Sequence, residues 1–138
     1  MPDLIGGARW IELEKFSDPH GALTPIESEL DVPFAIHRVF YFYDVPVAER
    51  RGAHAHRQQH QVLICLAGGF DVILDDGAQR QSVRLFEPWR GVYVPPLLWV
   101  EQLNFHGATV GLVLASDVFD EADYIRDHDE YRRLLAAK

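Results

Sequence analysis

Turn signals cut this chain into segments too short for anything but β-strands. Ser17-Asp18-Pro19-His20-Gly21, Asp31-Val32-Pro33, Asp44-Val45-Pro46, Gly68-Gly69, Asp75-Asp76-Gly77 and Pro95-Pro96 follow one another at close spacing. Each is a residue set that bends or reverses a backbone. The runs between them are dense in β-branched and aromatic residues. Residues 9–16 alternate, with Ile11 and Leu13 on one face and Glu12 and Glu14 on the other. Residues 22–27 make a short return strand interrupted by Pro25, and residues 34–43 a longer one. Residues 61–66 are too apolar to expose either face, and 109–115 are almost wholly apolar. Residues 70–74 and 81–85 flank the Asp-Asp-Gly hairpin signal, and 92–94 and 97–105 flank the two prolines. Only the tail changes period, and residues 120–136 predict a capped amphipathic helix over one end of the β core. Many short strands with one terminal helix predict an all-β double-sheet jelly roll, in one domain spanning 1–138.

Charge narrows the partners. At 138 residues, 48% hydrophobic and 25% charged, the chain has the composition of a soluble globular protein. A net charge of −8 argues against a general nucleic-acid binder. Within residues 37–60, however, Arg38, Arg50, Arg51 and Arg57 face only Asp44 and Glu49, a local basic patch suited to a small anionic ligand. The lone Cys65 lies in an apolar run and reads as a packed thiol. No signal peptide or membrane-spanning stretch is visible, so the expected location is the cytoplasm.

The chemistry concentrates in Arg51-Gly52-Ala53-His54-Ala55-His56 and the strand that follows. His54 and His56 are two apart and therefore share a face of an extended strand. The spacing His54-x-His56-x4-Gln61-x6-Gly68 resembles the first motif of the cupins, metal-binding jelly rolls in which two His and a Glu are ligands. Here Gln61 stands where that Glu would be. The second cupin motif falls near Pro95-Pro96-Leu97-Leu98-Trp99, with Trp99 in the place of a His. Two imidazoles and a neutral amide are too few ligands for a cupin metal, and an indole cannot ligate. The pocket reads as a cupin without a metal, whose histidines are free to move protons.

A narrower resemblance covers residues 9–130. Arg51 to His56, Val62 to Leu66, Asp75-Asp76-Gly77, Gly91 to Trp99, Leu114-Ala115-Ser116 and Tyr124 to Asp127 are similar to the sugar 3,4-ketoisomerases. These are metal-independent cupins that act on thymidine-diphosphate (dTDP)-linked 4-keto-6-deoxy sugars in deoxysugar biosynthesis. The resemblance implies proton transfer from C3 to C4 through an enediolate, with no cofactor and no metal. It implies His56 as the base and His54 as its partner, the reverse remaining open. Tyr43 is the expected phenolic donor, with Tyr41 on the same strand face as a substrate contact. Arg38 and Arg51 are expected to clamp the diphosphate, and Gln61 and Trp99 to line the pocket. A homodimer is expected, with the N-terminal strands, about residues 9–28, exchanged or edge-paired. Two alternatives stand beside this reading: a metal-dependent cupin enzyme drawing in His106 or His37, and a non-catalytic nucleotide-sugar-binding module.

Overall fold

The alternating runs sort into two antiparallel sheets facing each other across an apolar core. The structure, a computed structural model, describes residues 2–138. In chain order its strands are β1 (Arg9–Glu12), β2 (Phe16–Asp18), β3 (Gly21–Leu23), β4 (Arg38–Phe42), β5 (Arg51–His56) and β6 (Gln61–Ala67). There follow β7 (Phe70–Asp75), β8 (Arg80–Leu85), β9 (Arg90–Val94), β10 (Trp99–Leu103), β11 (Val110–Ala115) and β12 (Tyr124–Ile125), then helix α1 (His128–Ala136). One sheet has the order β1-β9-β6-β11-β4 and the other β12-β5-β10-β7-β8, while β2 and β3 pair only with each other. This is the expected cupin-type double-sheet jelly roll with a short C-terminal helix, its sheets not closed into a barrel.

Leu63, Cys65, Val92, Val94 and Val113 of the first sheet meet Phe70, Val72, Leu74, Val83, Leu85 and Val100 of the second. Phe42 sets its edge against Phe70 and Phe105, with ring centroids 5.5 and 5.9 Å apart. Fully burying one such side chain stabilises the fold by roughly 1.5–3 kcal/mol. The alternate residues of β6, Val62 and Ile64, face the other way and are buried as well. Residues 24–37 cross that outer face and seat Val32 and Phe34 on Val62, Ile64 and Leu114. A strand covered on both faces has no position for a polar side chain except at its ends, which accounts for the unbroken apolar run.

Several expected elements are shorter than their sequence patterns: residues 22–27 pair only over Gly21–Leu23, and residues 97–105 only over Trp99–Leu103. Residues 9–16 break after Glu12, leaving Leu13 buried beside Ile11. Residues 34–37 pack on the outer face, and regular pairing begins only at Arg38. The expected helix over 120–136 starts at His128. Before it, Glu121–Asp123 form one 3-10 turn capped by Asp120, and β12 adds to the edge of β5 with Tyr124 opposite His56. Ile125 is fully buried beside Ala55, Trp99 and Tyr131. That burial holds β12 extended until Asp127 caps α1 by accepting from the Asp129 amide.

Candidate active site

The site is built on a break in strand alternation. β5 pairs with β10 so that Arg51 faces Gln102, Gly52 faces Glu101 and His54 faces Val100, leaving Ala53 as an extra residue. Gly52 and Ala53 both have positive φ, 78° and 54°, and a Cβ on Gly52 would lie 3.1 Å from the Val100 carbonyl oxygen. Glycine is required there by both conformation and space. Arg51 and His54 are three residues apart and would point to opposite faces of a regular strand. The bulge turns both inward, and the Arg51 guanidinium lies 5.2 Å from the inward-facing Phe42 ring.

The two imidazoles are held in different states of engagement. His56 is 5% exposed, and its Nδ1–H donates to the Asp123 carboxylate at 3.0 Å. That contact fixes the tautomer, leaving Nε2 as an acceptor for the side-chain amides of Gln61 and Gln59 at 3.3 and 3.4 Å. His54 donates Nδ1–H to the Gly52 carbonyl at 3.1 Å, and its Nε2 has no partner among the described residues. The rings lie 4.9 Å apart, edge to face. Burial lowers the His54 pKa to about 4, helped by His56, Arg126 and Arg51 against the opposing Gly52 hydrogen bond. Burial also lowers that of His56, against the opposing pull of Asp123. Near neutral pH, His54 is therefore an unprotonated imidazole with a free lone pair.

Tyr124 closes the site from the edge strand. Its ring centroid is 4.3 Å from His56 and 5.1 Å from His54. Arg126 lies over the same ring at 4.1 Å and is itself paired with Glu121. From β4, Arg38 donates to the Tyr124 hydroxyl oxygen at 3.4 Å and stacks on Phe40 and Phe119 at 4.4 and 5.1 Å. Three guanidinium groups thus surround a pair of neutral histidines, an arrangement suited to an anionic ligand beside a proton-transfer centre.

Of the residues expected from sequence, the structure brings His54, His56, Gln61, Arg38 and Arg51 together. It places Tyr41, Tyr43 and Trp99 elsewhere. Arg38, Phe40 and Phe42 point inward, so strand alternation turns Tyr41 outward, 63% exposed, with Tyr43 beside it at 60%. Trp99 faces away from the histidines. Its indole N–H donates to Glu101 at 2.8 Å and its ring packs on Tyr131 and His128 beneath α1. Within the chain, the facing of their strands turns these three away from the histidines. Sequence reading missed Asp123, Tyr124, Gln59 and Arg126. The available signal was the alternation of Tyr124 and Arg126 about the apolar Ile125, which the helical pattern of the tail obscured.

No group of three or more His, Cys, Asp or Glu side chains converges to hold a metal ion among the described residues. The inward donor set of His54, His56 and Gln61 lacks a carboxylate, since Asp123 is hydrogen-bonded to His56 Nδ1. It does not fit the metal of the cupins.

Fold and site together define a jelly-roll protein of the cupin type with a histidine pair beside an arginine-lined pocket. Residues 6–136 match the family described as FdtA: WxcM-like, C-terminal, and the chain belongs to that family. It is 44% identical over 126 residues, 91% of both chains, to TDP-4-oxo-6-deoxy-alpha-D-glucose-3,4-oxoisomerase of Aneurinibacillus thermoaerophilus. Among solved structures it is similar to QdtA, a sugar 3,4-ketoisomerase from Thermoanaerobacterium thermosaccharolyticum, in complex with TDP. That match has 39% identity and a TM-score of 0.95, covering 97% of this chain and 98% of the other. A histidine-to-asparagine variant of QdtA from the same organism, in complex with TDP-4-keto-6-deoxyglucose, matches at 38% identity and a TM-score of 0.95. Coverage there is 98% of both chains.

Proposed function

We propose that this chain is a single-domain, metal-independent isomerase that converts a thymidine-diphosphate-linked 4-keto-6-deoxy-hexose to the 3-keto isomer. The observation that carries this reading is the free Nε2 of a neutral His54, set beside the immobilised His56–Asp123 pair in a pocket rimmed by arginines. The neighbouring carbonyl acidifies the C3 hydrogen of a 4-keto sugar. His54 takes that proton, the electron pair forms the C3–C4 double bond of an enediolate, and the imidazolium returns the proton at C4. His54 is assigned as the base in preference to His56, because the His56 Nε2 is already engaged by two amides. His56 holds the geometry and the field around the enediolate. Gln61 contributes by fixing His56.

Arg51 and Arg38 bind the diphosphate, guanidinium groups matching phosphate oxygens two at a time. Their second effect is on the base. Arg51 and Arg126 both lower the His54 pKa, so an anionic diphosphate beside them raises it as substrate binds, bringing the base toward its working range.

The chain works as a homodimer in the cytoplasm. β1 is already paired with β9 within the chain, so the element left for a partner is the β2–β3 hairpin. It exposes Phe16 and Leu23, while the outer face of the first sheet exposes Val39, Tyr41 and Tyr43. An isolated hairpin is marginal in water, and these apolar surfaces complete one another in a second copy. No helix among the described residues is long and apolar enough to cross a membrane.

The test is NMR of the product formed from thymidine-diphosphate-4-keto-6-deoxyglucose, before and after prolonged chelation. A 3-keto product at an unchanged rate is expected. Activity that dies with chelator and returns with a divalent ion would establish a metal-dependent enzyme instead, and binding without turnover a nucleotide-sugar-binding module. Light scattering at micromolar concentration reports the dimer.

A further inference from the structure

The isomerisation moves two hydrogens. One passes from C3 to C4, and the other must leave the O3 hydroxyl and end on O4. We propose that Tyr124 relays the second, its phenolic hydroxyl bridging the vicinal oxygens O3 and O4. This role rests on the ketoisomerase reading above.

The chain has five tyrosines, and four are committed elsewhere. Tyr41 and Tyr43 point outward. The Tyr93 hydroxyl is bound to His60 on the outer face of the first sheet, at 2.7 Å. Tyr131 gives its hydroxyl to the Asp75 and Leu97 carbonyls beneath α1, both at 2.9 Å. Tyr124 alone presents a phenol to the histidine pair. Its oxygen accepts from Arg38, and among the described residues its hydroxyl donates to no acceptor. The proton is therefore available to a ligand. The ring is gripped by His56 and His54 on β5, by Phe119 at 5.6 Å and by the Arg126 guanidinium, so the hydroxyl has a defined position.

The step balances without an oxidant. As His54 removes the C3 proton, that C–H pair forms C3=C4 and the carbonyl π pair moves to O4, which takes the Tyr124 proton. The resulting phenolate, facing the Arg38 cation, removes the proton from O3. The O3–H pair then forms C3=O, and the C3=C4 pair takes the proton held by His54 at C4. Tyrosine and histidine end as they began, and one group serves both oxygens because they are neighbours on the ring.

Full-length wild type, Tyr124→Phe and protein carrying 3,5-difluorotyrosine at position 124 distinguish this role. Tyr124→Phe keeps the ring packing and removes only the hydroxyl. Its turnover should fall about a hundredfold or more, while thymidine diphosphate binding by calorimetry and the melting temperature stay unchanged. The fluorinated protein should show the alkaline limb of its turnover profile moved to lower pH. The charged and titratable groups around that phenol are Arg38, Arg126 with Glu121, His54 and His56 with Asp123, and none is altered by the fluorines. Turnover of Tyr124→Phe within about threefold of wild type, well short of lost acid–base catalysis, overturns the relay. An alkaline limb that stays in place does so too. Wild-type protein that leaves the substrate unchanged overturns the ketoisomerase reading itself, and this role with it.

Discussion

Asp123 is the residue whose replacement bears most directly on the arrangement of the site. Its carboxylate accepts from His56 Nδ1 at 3.0 Å, the Gln58 amide at 2.8 Å and the Gln59 amide at 3.2 Å, and its side chain is 13% exposed. Asp123→Asn keeps the shape and replaces one oxygen by an NH2 group. If that group takes the place of Oδ2, it meets the His56 Nδ1–H and the Gln59 N–H, donor against donor. If it takes the place of Oδ1, it meets the Gln58 N–H. His56 can relieve the first conflict by moving its proton to Nε2, but there the Gln59 and Gln61 side-chain amides already point at it. At least one donor loses its acceptor in every arrangement, the solvent-exposed Gln58 amide in the mildest, and charge-assisted hydrogen bonds to the carboxylate are lost in all of them. A hydrogen bond to a charged group contributes about 1.5–3 kcal/mol, and the expected loss of stability is of that size, read from urea denaturation at neutral pH. Turnover should fall with it, because the loop over residues 57–59 and the His56 ring lose their common anchor. Nitrogen-15 NMR of the imidazole should report Nδ1–H in wild type and a changed tautomer in the variant. A stability loss below about 0.5 kcal/mol, the size of an ordinary surface substitution, would refute the account of how His56 is held.

Two further outcomes are expected. Arg51→Lys should weaken thymidine diphosphate binding about tenfold to a hundredfold, the worth of a lost bidentate contact to a charged group, with the fold intact by circular dichroism. For pH, the folded-state pKa of His54, about 4, lies below its ordinary 6.5, so between those values the unfolded chain binds the extra proton. Wild-type stability should therefore decline relative to His54→Asn as the pH falls from about 6.5 to about 4, by an amount on the order of 3 kcal/mol. Paired denaturation series across that window check it, and parallel curves would contradict the burial of a neutral imidazole.

How much of this was legible in the sequence depends on whether the signal is local. His54 and His56 share a face because a strand repeats every two residues. The covered sheet was visible in the two-sided apolarity of Val62 to Cys65, and Gln61 was visible through its spacing from the histidines. Parity also showed that Tyr41 and Tyr43 lie together, and that Arg38, an odd number away, lies opposite them in a regular strand. It did not say which pair faces in. That was decided by Phe42, which fills the space between the sheets and carries Arg38 inward with it. Arg51 defies parity altogether, because the bulge at Gly52 and Ala53 exists only in the pairing of β5 with β10. Trp99 turned away because alternation along β10 gives Val100 to the core and the indole to the helix side. Asp123 lies 67 residues from His56, and Tyr124 meets the histidines only because β12 docks on the edge of β5. Local periodicity carries no record of that contact: the burial of Ile125 and the cap at Asp127 hold the strand where the tail's own pattern favoured a helix.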